Sequence, residues 1–148
     1  MTAIVHLSLP AAEPRRVAKV LAKLMRGRVS NFSPTKGAFY VGTDSPTAAA
    51  IEVYPEHTAL VPGEGPEAPG RFVETESAPR HGPVHVALAS PLTRAEVMAL
   101  GTGEGWRTLP CRRGDSFNVI ELWLENRLLI EVVAAEDQEE ALPALRIS

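Results

Sequence analysis

Val5-His6-Leu7-Ser8-Leu9 is an apolar run broken by one histidine, and Val84-His85-Val86-Ala87-Leu88 repeats it 79 residues later. The same offset carries Ile51-Glu52-Val53 onto Ile130-Glu131-Val132, an apolar strand with a single acid at its centre. In each half the histidine precedes the glutamate by 46 residues. A matched His…Glu pair therefore occurs twice in one short chain, and the elements between the pairs repeat as well.

Strand side chains alternate between faces, so residues 4–9 put Val5, Leu7 and Leu9 on one face and His6 and Ser8 on the other. Pro10 is expected to end that strand. Pro14 suits a first helical position, and Val17, Val20, Leu21 and Leu24 recur at helical spacing. Arg15, Arg16, Lys19, Lys23 and Arg26 form the opposite side, which reads as a solvated face rather than an anion site. Gly27 closes the helix. Strands follow at 28–32, 38–41 and 49–54, the last with Ile51 and Val53 on one face and Glu52 and Tyr54 on the other. The unit is β-α-β-β-β.

From 55 to 83 the composition shifts to proline, glycine and glutamate. That density disfavours regular structure and predicts a long connection with one short extended piece at 71–75. His57 and His81 read as exposed loop histidines; Gly82-Pro83 argues against a helical His81/His85 zinc pair. The β-α-β-β-β pattern then returns: a strand at 84–88, a capping box Thr93-x-x-Glu96 opening a helix with Val97 and Leu100 on its apolar face, and glycines 101, 103 and 105 breaking it. Strands at 106–111, 117–124 and 127–133 complete the set, with a turn at 112–115 and a hairpin at Glu125-Asn126. A short acidic helix is expected at 136–142. The expected organisation is thus a first βαβββ module at 1–54, a linker at 55–83, a second module at 84–135 and a tail at 136–148.

The fold class this implies is α+β, two modules related by a pseudo-twofold, forming a curved mixed sheet around a central cavity with helices outside. Under that arrangement His6, Glu52, His85 and Glu131 point into one concavity, and two imidazoles with two carboxylates suit a divalent first-row metal.

Composition excludes several classes. The net charge of −3, with acids and bases dispersed, offers no nucleic-acid face or membrane-surface patch. No apolar run approaches the about 18 residues of a membrane span, and the N-terminus lacks a signal-peptide core. A lone Cys111, which permits no internal disulfide, fits a cytoplasmic protein. Cys111 has no evident paired base and reads as a small strand residue, and Trp106 and Trp123 read as core or cavity wall.

With its paired βαβββ modules and polar ligand types on the outer strands, the chain resembles the vicinal oxygen chelate superfamily, which includes glyoxalase I, fosfomycin-resistance proteins, extradiol dioxygenases and bleomycin-binding proteins. The resemblance implies that His6, Glu52, His85 and Glu131 are metal ligands, in a set like that of bacterial glyoxalase I. The metal would be Ni, Zn, Mn, Fe or Mg, and Glu52 or Glu131 would move the proton. Where the family's helix has an aromatic Phe-Tyr pair before a Leu-Gly, the equivalent segment here reads Val20-Leu21-Ala22-Lys23-Leu24-Met25-Arg26-Gly27. Pro10 and Glu56 stand where glyoxalase I has an arginine and an asparagine for glutathione. The implied activity is therefore metal-dependent proton transfer, isomerisation or lyase chemistry on a small oxygen-rich substrate, not a glutathione adduct. The alternatives are a drug-sequestering, non-catalytic binding module and, more weakly because of the acid at 52, an iron dioxygenase. A homodimer is expected by analogy with the superfamily.

Overall fold

The computed structural model describes residues 4–32, 35–64, 66–69, 71–76 and 85–145. The chain divides into two units, Met1–Pro79 and Arg80–Ser148. The first contains β1 (His6–Ala11), α1 (Pro14–Met25), β2 (Arg28–Phe32), β3 (Ala38–Gly42), β4 (Ala50–Pro55), β5 (Thr58–Val61) and β6 (Arg71–Glu74). The second contains β7 (Val86–Ala89), α2 (Arg94–Gly103), β8 (Thr108–Arg113), β9 (Phe117–Leu124), β10 (Leu128–Val133), a short 3-10 turn (Ala135–Asp137) and α3 (Gln138–Leu145).

Each unit builds one four-stranded mixed sheet, in the orders β1-β4-β3-β2 and β7-β10-β9-β8. In both, the first and last strands of the module pair in parallel and the rest antiparallel. This follows from chain order: the helix is the crossover that a parallel pair requires, and hairpins supply the remaining strands. Among the described residues no helix is long and apolar enough to cross a membrane.

In the first unit α1 buries Val17, Val20, Leu21 and Leu24 against Leu9, Ala11, Val41, Ile51 and Val53. The helix starts at Pro14, where the missing N–H costs nothing. Arg26 takes the left-handed conformation (φ 48°), and the Gly27 N–H bonds back to Ala22 O at 2.8 Å. Gly27 is needed for another reason: a Cβ there would lie 2.3 Å from the carbonyl oxygen of Gly42. Arg15, Lys19, Lys23 and Arg26 are exposed, as the amphipathic pattern predicts.

Several boundaries differ from the sequence reading. Residues 4 and 5 lie outside β1 and are exposed, whereas the strand runs through Pro10, opposite Tyr54, to Ala11. The carbonyl of Val5 accepts from Ala50 of β4 and that of Ala11 from Glu56, just past its end, so the backbone groups of even-numbered residues point away from β4. Pro10 thus sits where its lost N–H breaks no ladder bond, at a sheet edge. In the 55–83 stretch, β6 falls where a short extended piece is expected, but β5 is an unforeseen partner. The two form a separate antiparallel ribbon.

In the second unit β7 begins at Val86, so His85 precedes the strand; Val84 and His81 lie outside the described residues. The Thr93/Glu96 capping box is present in both directions. Its helix continues through Gly101, where a break was expected, and ends at Gly103. Gly101 is buried against β8, and a Cβ would meet Thr108 Oγ1 at 2.0 Å. Strand β8 starts and ends two residues later than expected, which makes Arg112 and Arg113 strand residues. Glu125 and Asn126 both have positive φ, as a primed hairpin turn requires. Val97, Ile120, Leu122, Ile130 and Val132 are buried. On the other face Val119 and Val133 pack against Ala141 of α3.

Candidate functional site

In the first unit the face turned away from α1 carries His6, Ser8 and Pro10 of β1 beside Glu52 and Tyr54 of β4. Ser8 is the register partner of Glu52, and Tyr54 lies two residues along the same strand face. Both hydroxyls donate to Glu52 Oε2, each at 3.0 Å. The other oxygen, Oε1, stands 3.7 Å from His6 Nε2. Glu52 is buried, with 8% of its surface exposed, while the His6 side chain keeps about half of its own. One carboxylate oxygen is thus fixed by two donors and the other is directed at an imidazole.

These groups open onto a cavity of about 470 Å³ that is walled on one side by the β5–β6 ribbon through Thr58, Leu60 and Phe72. Tyr54 stacks on Phe72 (centroids 5.0 Å apart, planes at 25°) and meets Phe32 edge-on at 6.1 Å. Burial, then the hydrogen bond to Glu52 and the charge of that carboxylate, push the Tyr54 phenol up to about 12. It is therefore a donor at neutral pH, not a base.

The second unit treats its acid differently. Glu131 on β10 lies directly opposite Glu121 on β9. Arg113 reaches both: Nε donates to Glu131 Oε1 at 2.7 Å, Nη2 also bonds that oxygen, and Nη2 donates to Glu121 Oε1 at 2.9 Å. Trp123 Nε1 donates to the other oxygen of Glu121 at 3.1 Å. Burial works to raise the Glu121 carboxyl, but hydrogen bonds from Arg113 and Trp123 and the arginine's charge outweigh it and hold the group below its ordinary range. The Cys111 thiol is raised, first by burial and then by Glu121, which fits a strand residue rather than a nucleophile. His85 is exposed; strand alternation puts it on the face of Ala87, the register partner of Glu131.

A metal bound by one imidazole nitrogen and one carboxylate oxygen at about 2.1 Å, with tetrahedral angles, separates them by about 3.4 Å. The His6–Glu52 pair fits that requirement within a few tenths of an ångström, and Ser8 and Tyr54 orient the carboxylate as supporting partners of metal ligands do. Glu131 fits less well, because a guanidinium already holds its Oε1. Within each unit, among the described residues, no three His, Cys, Asp or Glu side chains gather closely enough to hold a metal.

Ser8, Glu121, Arg113 and Phe72 are the participants the sequence reading missed. Ser8 was visible on the face of His6. Glu121 was hidden by the register: a two-residue turn at Glu125-Asn126 would set it opposite Ile130, whereas Leu124 pairs with Leu128 and Glu121 with Glu131. Nothing local pointed to Phe72.

No protein-family model matches the sequence, and no curated protein does. Solved structures do. A fosfomycin resistance protein, FosX, from Listeria monocytogenes superposes with a TM-score of 0.58 at 12% identity, over 91% of this chain and 94% of its own. A lactoylglutathione lyase from Agrobacterium tumefaciens gives 0.56 at 8%, over 92% and 96%. This chain has the vicinal oxygen chelate fold. An integron cassette protein of Vibrio cholerae is similar in the same way, at 0.51 and 14% identity over 91% and 96%. At such identities the vicinal oxygen chelate likeness speaks for the fold, and the site must be argued from this chain's own residues.

Proposed function

We propose that the chain is a glyoxalase-like, metal-dependent enzyme performing proton transfer, isomerisation or lyase chemistry on a small oxygen-rich substrate. The observation that carries this reading is the state of Glu52. Its Oε2 is held by Ser8 and Tyr54, and its Oε1 faces His6 at the edge of a ligand-sized cavity. A carboxylate anchored through one oxygen, with an imidazole beside the other, is a prepared half of a metal site. In this reading His6 and Glu52 supply two ligands and His85 and Glu131 two more to one divalent ion, of Ni, Zn, Mn, Fe or Mg type. Bound there, the ion would supply Lewis-acid stabilisation of a developing oxyanion.

The chain's own residues do the rest. Ser8 and Tyr54 keep Glu52 oriented, and Tyr54, protonated throughout the neutral range, adds a donor at the cavity wall. Glu52 and Glu131 are the proton-transfer carboxylates. Glu131 must release its Oε1 from Arg113 before that oxygen can take a proton, whereas among the described residues no guanidinium holds Oε1 of Glu52. A homodimer accompanies the reading by analogy of fold, and sedimentation checks it.

Metal analysis tests the core of the proposal. About one divalent ion per chain is expected, lost in His6→Ala and in His85→Ala, with chelation lowering the melting temperature. A purified protein that takes up no metal from any of these ions would sink it. That outcome leaves the second reading, a non-catalytic small-molecule-binding module. The Arg113–Glu131 pair favours that module, because it neutralises a would-be ligand internally.

A further inference from the structure

We infer that the cavity of the first unit takes a molecule with a flat apolar body and a hydroxyl- or carbonyl-bearing head free of negative charge, and that Phe72 and Leu60 of the β5–β6 ribbon do the selecting. This deepens the proposed function, resting on it only for the head oxygen meeting His6 and Glu52.

The cavity has two ends of different chemistry. At one, His6, Ser8 and Glu52 offer a ring nitrogen, a hydroxyl and a carboxylate. At the other, the faces of Tyr54 and Phe72 stack, with Leu9, Pro10 and Leu60 around them. Stacked rings hold flat apolar groups by dispersion and by area removed from water. Among the described residues the lining contains the carboxylate of Glu52 and neither a lysine nor an arginine. A phosphate or carboxylate entering there would lose hydration against a like charge with neither of those cations to offset it. A neutral hydroxyl or carbonyl head avoids that cost.

The ribbon is arranged for this task. Leu60 and Phe72 are register partners, and Thr58 lies on the same face by alternation, so one side of the ribbon presents all three to the cavity. Leu60 is 66% exposed, an apolar side chain left in water beside a ligand-sized space. A two-stranded ribbon is marginal alone. This one is held at its base by Thr75 N–H bonding His57 O at 2.7 Å and along its face by the Phe72–Tyr54 stack. A flat body beside Phe72 would cover Leu60 and complete that wall.

The test is calorimetric titration of the full chain with naphthol and naphthoate, each on chelator-treated and on metal-supplemented protein. Naphthol should bind the chelated protein at least about tenfold more tightly than naphthoate. Phe72→Ala should weaken naphthol by about tenfold. Leu60→Arg, at an exposed position that leaves the fold intact, should bring naphthoate up to the level of naphthol. Failure of naphthol to bind overturns the inference, as does naphthoate matching it in the unaltered, chelated chain. So does an unchanged ranking in Leu60→Arg. Naphthol binding without metal uptake keeps this inference and removes the metal; metal uptake without naphthol binding does the reverse.

Discussion

Glu131 stands directly opposite Glu121 across the antiparallel β9–β10 pair, two like charges at one register position. Facing acids repel, and Arg113, bonded to both, offsets that repulsion. Arg113→Met should therefore cost about 1–2 kcal/mol at neutral pH, less than a fully buried pair because the arginine is about one-third exposed. Adding Glu121→Gln should recover much of the loss, which a double-mutant cycle in urea would measure. The single substitution should also tighten divalent metal binding, since it frees Oε1 of Glu131.

Tyr54 gives a prediction at the alkaline end. Of the two tyrosines, Tyr40 and Tyr54, the second should ionise only near pH 12 in a spectrophotometric titration. A folded-state value above the unfolded one near 10 means that its contribution to stability is whole below pH 10. That contribution disappears as pH rises toward 12. Tyr54→Phe removes one of the two donors to Glu52 and should weaken metal binding by about 10–100-fold, with Ser8→Ala acting alike. Unchanged metal affinity in both variants would remove these hydroxyls from the site.

Gly101 tests how α2 is seated. Alanine normally favours a helix over glycine by about 1 kcal/mol. Here its Cβ would collide with the β-branched, and therefore stiff, Thr108. Gly101→Ala should lose about 1–3 kcal/mol in chemical denaturation, and Gly101→Ala with Thr108→Ala should regain most of it.

At the acid end, Asp137 is buried and bonded by Arg94 Nε at 2.8 Å. That hydrogen bond, opposed by burial and aided by the arginine's charge, lowers its carboxyl below the ordinary value of 3.8. Its stabilisation is present above that value and is lost as pH falls through the lower, folded-state one. Asp137→Asn should flatten the acid limb of a stability-against-pH curve while leaving the alkaline limb unaltered.

What could be read in advance was whatever depends on local pattern. The spacing of Val17, Val20, Leu21 and Leu24 announced α1, Thr93 with Glu96 announced the start of α2, and alternation placed His6, Ser8, Glu52 and Tyr54 on one face. The misreadings all came from treating punctuation residues locally. Proline breaks a strand only where its N–H is needed, and Pro10 points outward. Glycine breaks a helix only where nothing packs on it, and Gly101 is packed. Placing Arg113 in a turn hid its reach to Glu131, a pairing set by strand register across three strands rather than by neighbours in sequence. The ribbon that roofs the cavity needed a partner for β6, and long-range pairing of two four-residue strands leaves almost no periodic signal.

Pro10 has one more consequence. Strand β1 is the outer strand of the first unit's sheet, and the outward amides of an outer strand are a template for further pairing. At Pro10 the outward-facing position has no amide hydrogen to offer, so an incoming strand would lose a rung at the level of Tyr54, beside the cavity. Pro10 thereby weakens any strand pairing along β1 at the level of Tyr54, beside His6, Ser8 and Glu52.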